Sequence, residues 1–392
     1  MNKNINILVL GGYVNGYSII KELHEKGVRN IVLFDYVRSI GSVSNKIKSF
    51  VRIEKKSESL KKAILDLKKR CDYIIIYPTD DLQIEFLHEI YNEIINFCFI
   101  PFNKKTIIPS LDKYTQYHFC EKYNIPYPKT KNINEVGEID LIAKMLFPVL
   151  VKPAKRYDSS MGVFRSMFIK GVDDLNNKRN KLTSLLNKEV SLIVSEFIPG
   201  DDTNIYAYVG YRSKEGKVLN EWIGKKLTQY PDRFGVFSSA INTAPEIIKR
   251  QGEKLLNVMD LHGICEPEFK YDERDGKYKL MEINLRSMMW HRLGNLSGVH
   301  LQYTQYLDAL GKEVKKEKQN LKGDIHFVYM KHEISNIIFR KKYWKHFKNN
   351  VFKGKKRYFA IYDKTDIKPF LYDLIGLIRA LLGRCRRMLK IE

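Results

Sequence analysis

Cysteine is scarce and scattered in this chain. Its five cysteines, Cys71, Cys98, Cys120, Cys265 and Cys385, contain no Cys-x-x-Cys and have no paired histidines at metal spacing. That excludes a disulfide framework and a zinc site of the usual kinds, and a reducing, cytoplasmic compartment is expected. Long hydrophobic runs are missing too. The early apolar stretch from Ile5 to Leu10 passes at once into Gly11-Gly12, so it does not read as a secretory signal. No run reaches the roughly 20 residues of a membrane-spanning helix. Internal repeats, low-complexity blocks and any Ser-His-Asp or Cys-His arrangement are likewise absent, so nucleophilic side-chain catalysis is not the expected chemistry.

What is present is a chain of 392 residues, 44% hydrophobic, long enough for two or three domains with their own cores. Its net charge is +23. From Lys312 to Glu392 there are 22 Lys or Arg against 8 Asp or Glu, so the basicity belongs mostly to the C-terminal end.

The first hundred residues open as β-α-β. Ile5 to Leu10 reads as a buried strand, Ser18 to Lys26 has helical spacing, and Asn30 to Phe34 is a second strand ending at Asp35. Tyr73 to Tyr77 and Phe97 to Ile100 continue a doubly wound α/β pattern. Gly11, Gly12, Gly16 and Asp35 invite a dinucleotide reading, but Gly-Gly-x-x-x-Gly is not the Gly-x-Gly-x-x-Gly spacing, and a tight βα turn requires glycine for steric reasons alone. From Ser110 the pattern changes: a helix begins with Ser110 and Asp112 as cap candidates and stops at Asn124-Ile125-Pro126. Phe147 to Pro153 is a strand ending in Lys152, followed by a polar loop, Arg156 to Gly162, whose Ser159, Ser160 and Gly162 suit closure over phosphates. Ser191 to Val194 is a further strand running into Glu196-Phe197-Ile198-Pro199-Gly200-Asp201-Asp202, a short acidic and apolar hinge that suits an adenine but also reads as an ordinary strand end.

The most informative segment is Gly263 to Arg286. An Asp-Glu-Arg-Asp-Gly turn separates two alternating stretches, so Glu268, Glu282, Asn284 and Arg286 share parity and project to one side. Diagonal neighbours on such a hairpin lie about 7 to 8 Å apart by backbone, within reach of a shared Mg²⁺. The plain alternative is a surface hairpin with solvated charges. The apolar Phe269, Leu280 and Ile283 and the small residues after Arg286 argue for burial instead.

In this order the elements resemble the ATP-grasp superfamily of carboxylate-amine ligases, over roughly residues 1 to 311. The carrying features are the α/β opening, Asp112-Lys113, Val151-Lys152-Pro153, the Ser-Ser-Met-Gly loop, Ser195 to Asp202, Glu268-Phe269, and Glu282-Ile283-Asn284-Leu285-Arg286. The resemblance implies a Rossmann-like domain (1–109), a two-subdomain ATP-grasp domain (110–311) and a basic helical C-terminal extension (312–392). It implies ATP with Mg²⁺, Mn²⁺ being an acceptable substitute. Lys113 and Lys152 would contact phosphates, Glu196, Phe197 and Ile198 the adenine, and Asp202 the ribose. Glu268, Glu282 and Asn284 would hold the metal, with Arg286, Lys152 and Lys226 as catalytic groups. Cys120 to Lys129, Phe197 to Asp202 and Phe269 to Arg286 look like D-aspartate ligases of peptidoglycan precursors, whereas Trp290 to Val299 looks like a broader carboxylate-amine ligase group, as does Trp222 to Gly235. The implied function is amide formation through an acyl phosphate on a cell-envelope substrate; the alternative is a non-catalytic ATP-binding scaffold in an envelope-synthesis complex. His291 reads as structural or substrate-facing, not as a general base.

After Gly311 the resemblance fades. Basic clusters interleave with Tyr343, Trp344, Phe347 and Phe352, and near 369–390 Leu371, Leu374, Ile375, Ile378, Leu381, Leu382, Met388 and Leu389 recur at helical spacing. That pattern fits an interfacial helix on an anionic membrane, on its inner face, or a helix packed on the protein's own core or on a second subunit. Nucleic acid is not expected, since no recognised module accompanies the charge.

Overall fold

The computed structural model describes residues 4–154, 164, 166–232 and 235–388, with side chains up to 382 in the last helix. Ser159, Ser160 and Gly162 lie outside them. The chain divides into two units, one of residues 1–111, 201–268 and 282–392, the other of residues 112–200 and 269–281. The polypeptide leaves the first unit after Leu111, returns to it at Asp201 and crosses twice more through one hairpin.

The first unit begins with five parallel strands, β1 (Ile5–Leu10), β2 (Ile31–Asp35), β3 (Ser49–Arg52), β4 (Tyr73–Tyr77) and β5 (Cys98–Phe99), in spatial order β3-β2-β1-β4-β5. Apolar runs such as Ile-Asn-Ile-Leu-Val-Leu and Tyr-Ile-Ile-Ile-Tyr suit strands covered on both faces, and Ile7, Val9, Leu33 and Ile75 form the core with the helix Val14–Glu25. The turn after β1 explains its glycines. Gly11 has φ +81°, and a Cβ on Gly16 would lie 1.9 Å from the Gly11 carbonyl oxygen. Asp35 accepts the Gly12 N–H at 2.8 Å and the Tyr36 N–H at 2.7 Å, so these residues serve the βα turn sterically.

The second unit contains an antiparallel four-stranded sheet of β6 (Thr130–Ile133), β7 (Val149–Pro153), β8 (Met167–Ile169) and β9 (Leu192–Glu196), ordered β6-β9-β7-β8. Ile133, Val149, Val151, Leu192 and Val194 alternate inward and pack with Leu175 and Leu182 of the helix Val172–Leu186. The preceding helix, Lys113–Lys122, starts where its cap residue predicts: the Asp112 carboxylate accepts the Thr115 N–H at 2.8 Å.

A seven-stranded sheet follows, made by β10 (Ile205–Arg212), β11 (Val218–Tyr230), β12 (Val236–Ile241), β13 (Gly263–Asp272), β14 (Lys277–Asn284), β15 (Ile325–Val328) and β16 (Lys356–Phe359), in the order β14-β13-β10-β11-β12-β15-β16. The C-terminal segment, expected to be helical, thus contributes two strands. β15 pairs antiparallel with β12 and parallel with β16. Its helix Met330–Phe339 carries Glu333, which is fully buried and accepts hydrogen bonds from Thr228 Oγ1 (2.8 Å), Ser238 Oγ (2.6 Å) and Tyr343 OH (2.9 Å). A carboxylate placed so deeply is tolerated only because these donors replace its water. The helix Ile367–Met388 is the last described element.

His332, beside Glu333, is buried, and its Nδ1–H donates to the Phe237 carbonyl at 2.7 Å. Burial holds the imidazole down at about 4, against some support from that carbonyl. Below about pH 6.5 the unfolded chain takes up a proton that the buried ring refuses until about pH 4, so stability falls as the pH drops through this window. Urea unfolding of His332→Gln is expected to lose about 3 kcal/mol of that acid-side dependence relative to the unsubstituted protein, the remainder coming from carboxylates.

Candidate active site

Strand β13 is buried almost end to end, and from position 266 its even positions are charged: Glu266, Glu268, Lys270 and Asp272, alternating with Cys265, Pro267 and Phe269. The period of two puts the charged set on one face. Each member needs a partner, because an unpaired buried charge costs several kcal/mol.

Within the first unit, Lys226 of β11 forms a buried ion pair with Glu268. Burial raises the Glu268 carboxyl; Lys226 opposes that, while Glu282 and Glu266 add to it. Burial also works against the Lys226 charge, yet Glu268, Glu266 and Glu282 hold its ammonium above the ordinary lysine value. Burial thus drives the Glu268 shift, whereas the three surrounding carboxylates drive that of Lys226. Glu266 is tied elsewhere as well. Its Oε2 lies 2.6 Å from His291 Nε2 and its Oε1 accepts from Asn284 Nδ2 at 3.2 Å. His291 Nδ1 accepts the Met288 N–H at 3.2 Å, which leaves Nε2 as the donor to Glu266. Asn284 is thereby oriented by a Glu266–His291 pair. Arg286, largely buried, donates to Asp81 from Nε at 2.7 Å and from Nη2 at 3.3 Å. Asp81 opens the helix Asp81–Glu89, which is fixed by a capping box at Asp80 and Gln83.

Glu266 and Asp81 did not emerge from the sequence reading. Glu266 shares the parity of Glu268 and was legible on that ground; nothing in the sequence joins Asp81 to a residue 205 positions later. Asp202 also falls in the first unit. It is buried, accepts the Gln229 N–H at 3.2 Å, and pairs at 3.1 Å with Arg340, which also reaches Asp232 at 2.9 Å. Burial raises the Asp202 carboxyl and Arg340 opposes the rise. Its expected ribose role thus falls on a residue already engaged by the C-terminal segment.

The second unit holds Lys113, Lys152, Glu196, Phe197 and Ile198. Lys113 Nζ reaches the Met281 carbonyl at 3.4 Å, and Tyr117 OH donates to the same oxygen at 2.8 Å. Lys152 lies on β7, in register with Ile193 of β9. Glu196 ends β9, and the hinge after it is clamped: Lys270 Nζ donates to the carbonyls of Ile198 and Gly200, both at 2.9 Å, and lies 5.3 Å from the Phe197 ring centre. Phe197 also meets Phe168 edge-on at 5.0 Å. Lys270 is a third residue that sequence reasoning passed over, and its parity with Glu268 was the available signal.

Among the described residues no three His, Cys, Asp or Glu side chains converge as a metal site by themselves. The set Glu268, Glu282 and Asn284 is two carboxylates and an amide. It fits a hard divalent ion that takes few protein ligands and completes its shell with water and phosphate oxygens. The excess of acid over Lys226 supports the same fit.

No protein-family model matches the chain. It is similar to a D-aspartate ligase of Enterococcus faecium (strain Aus0004), at 26% identity over 240 residues, which is 58% of this chain and 56% of the relative, little more than half its length. The fold is shared with an L-amino acid ligase from Bacillus licheniformis, at TM-score 0.59 and 13% identity, covering 83% of this chain and 79% of that one. It is also shared with the biotin carboxylase domain of a Hydrogenobacter thermophilus 2-oxoglutarate carboxylase in complex with MgADP, ADP and bicarbonate, at TM-score 0.62 and 16% identity, covering 83% and 73%. The chain is thus similar in sequence to a D-aspartate ligase over little more than half its length, and it shares its fold with an L-amino acid ligase and a biotin carboxylase domain.

Proposed function

We propose that the protein is an ATP-dependent ligase that joins a carboxylate to an amine through an acyl phosphate, on a cell-envelope substrate. The observation that carries this reading is the buried acid-rich cluster of Glu266, Glu268 and Glu282 around Lys226, with Asn284 oriented beside it and Arg286 held by Asp81. The likeness to a D-aspartate ligase supports it and points to an amino acid with a side-chain carboxylate as the first substrate to test.

A carboxylate is a poor electrophile at neutral pH, and amide formation requires one of its oxygens to become a leaving group. In the proposed reaction a substrate carboxylate oxygen attacks the γ-phosphorus of ATP and ADP departs. The amine nitrogen then attacks the acyl carbon, inorganic phosphate leaves, and the nitrogen loses a proton. Catalysis of this kind rests on positioning and charge neutralisation. Lys113 and Lys152 bind phosphate oxygens, while Glu196, Phe197 and Ile198 receive the adenine on a hinge that Lys270 stiffens. Arg286 meets the transferring phosphoryl group, and Asp81 fixes the direction of its guanidinium. Glu268, Glu282 and Asn284 would hold Mg²⁺, which when bound neutralises phosphate charge.

Three substitutions test the assignment, read as ADP and phosphate release with Mg-ATP and pools of amino acids, dicarboxylates and envelope fragments. Glu282→Gln is expected to reduce substrate-dependent release about a hundredfold or more; full turnover in that variant would remove Glu282 from the metal set. Lys152→Ala is expected to weaken nucleotide binding as well as turnover, and unchanged ATP affinity would count against its phosphate contact. Asp81→Asn keeps the shape but loosens Arg286. Here kcat is expected to fall roughly tenfold or more with ATP affinity nearly unchanged, because the guanidinium is needed most as charge develops.

A further inference from the structure

The helix Ile367–Met388 carries two apolar stripes, only one of which the protein covers. Pro369, Asp373 and Leu377 are buried, with Phe370 partly so. Asp373 anchors this side, accepting from Tyr329 OH at 3.0 Å and from Lys331 Nζ at 2.9 Å. The other stripe consists of Ile367, Leu371, Leu374, Ile375, Ile378 and Leu382. These sit at i, i+4, i+7, i+8, i+11 and i+15, one continuous helical face, and each is between 38% and 57% exposed. Six large aliphatic side chains aligned in water are far from the scattered exposure of an ordinary surface. The helix cannot be covered by its own core, since the core already takes the opposite side.

We propose that this stripe docks the protein on an anionic lipid surface, with the helix lying in the plane of the head groups. Charge selects the occupant. The exposed Lys368 and Arg379 belong to the same helix, and residues 383–392 add four basic residues and one acidic residue. Earlier in the same segment Trp344 and Phe352 are exposed among Lys345, Lys348 and Lys353, with Lys348 Nζ 5.5 Å from the Trp344 ring centre. A second copy of the chain would bring two strongly basic surfaces together, whereas anionic head groups neutralise them while acyl chains take up the aliphatic stripe. No described helix is long and apolar enough to cross a membrane. The docking is independent of the ligase reading and survives its failure.

The test uses the full chain and sedimentation with vesicles of phosphatidylglycerol and phosphatidylcholine, against phosphatidylcholine alone. The protein is expected to sediment with the anionic vesicles and to be released by salt. Ile375→Asp combined with Ile378→Asp is expected to lower the bound-to-free ratio about tenfold or more. Both positions are exposed, and Leu371→Gln serves as a second variant should the pair disturb folding by circular dichroism. Protein that stays in the supernatant with anionic vesicles overturns the proposal. So does binding that is unchanged in both variants, or a dimer by light scattering that the stripe substitutions convert to monomer, which would assign the face to a second copy.

Discussion

Strand Gly263–Asp272 places four charged residues in a row on a buried face, and the tertiary structure is arranged to satisfy them. Glu266 has His291 and Asn284, Glu268 has Lys226, Lys270 has two hinge carbonyls, and Asp272 has Lys279 and Arg274, each at 2.7 Å. Removing any one partner strands a charge in a low-dielectric setting, which costs far more than the intact pair contributes. The same strand therefore carries the Glu268 carboxylate that pairs with Lys226, the Glu266 carboxylate that orients Asn284 and the Lys270 ammonium that holds the carbonyls of Ile198 and Gly200.

The C-terminal segment is part of this arrangement, not an appendage to it. β15 and β16 extend the seven-stranded sheet, Glu333 draws donors from β11 and β12, and Asp366 accepts from Tyr17 and Ser44 near the start of the chain at 3.1 and 2.5 Å. Arg340 reaches Asp202. Much of the basic charge here is consequently anchored on a folded platform, and the register of the last helix is fixed by Asp373, which accepts from Tyr329 and Lys331.

Legibility in the sequence followed the range of the forces involved. Strands Ile5–Leu10 and Tyr73–Tyr77 were readable because a strand buried on both faces must be continuously apolar, and the start of the helix at Lys113 was readable because a cap is a local hydrogen bond. Strand Ser49–Arg52 was not: it lies at a sheet edge, its residues are mostly exposed, and it carries no apolar run. The strands of the C-terminal segment escaped for a related reason, being four residues each in a stretch whose charge dominates its composition.

By itself, the sequence determined which residues could share a face: the parity of Glu268, Glu282, Asn284 and Arg286 and the apolar periodicity of the last helix. Those are properties of backbone geometry, which repeats every two or 3.6 residues whatever surrounds it. Tertiary structure alone decided the partners, because partners arrive from distant positions in the chain. It joined Arg286 to Asp81, Asp202 to Arg340 and Lys226 to Glu268, and it chose which of two apolar stripes on the final helix the protein would bury and which it would leave facing outward.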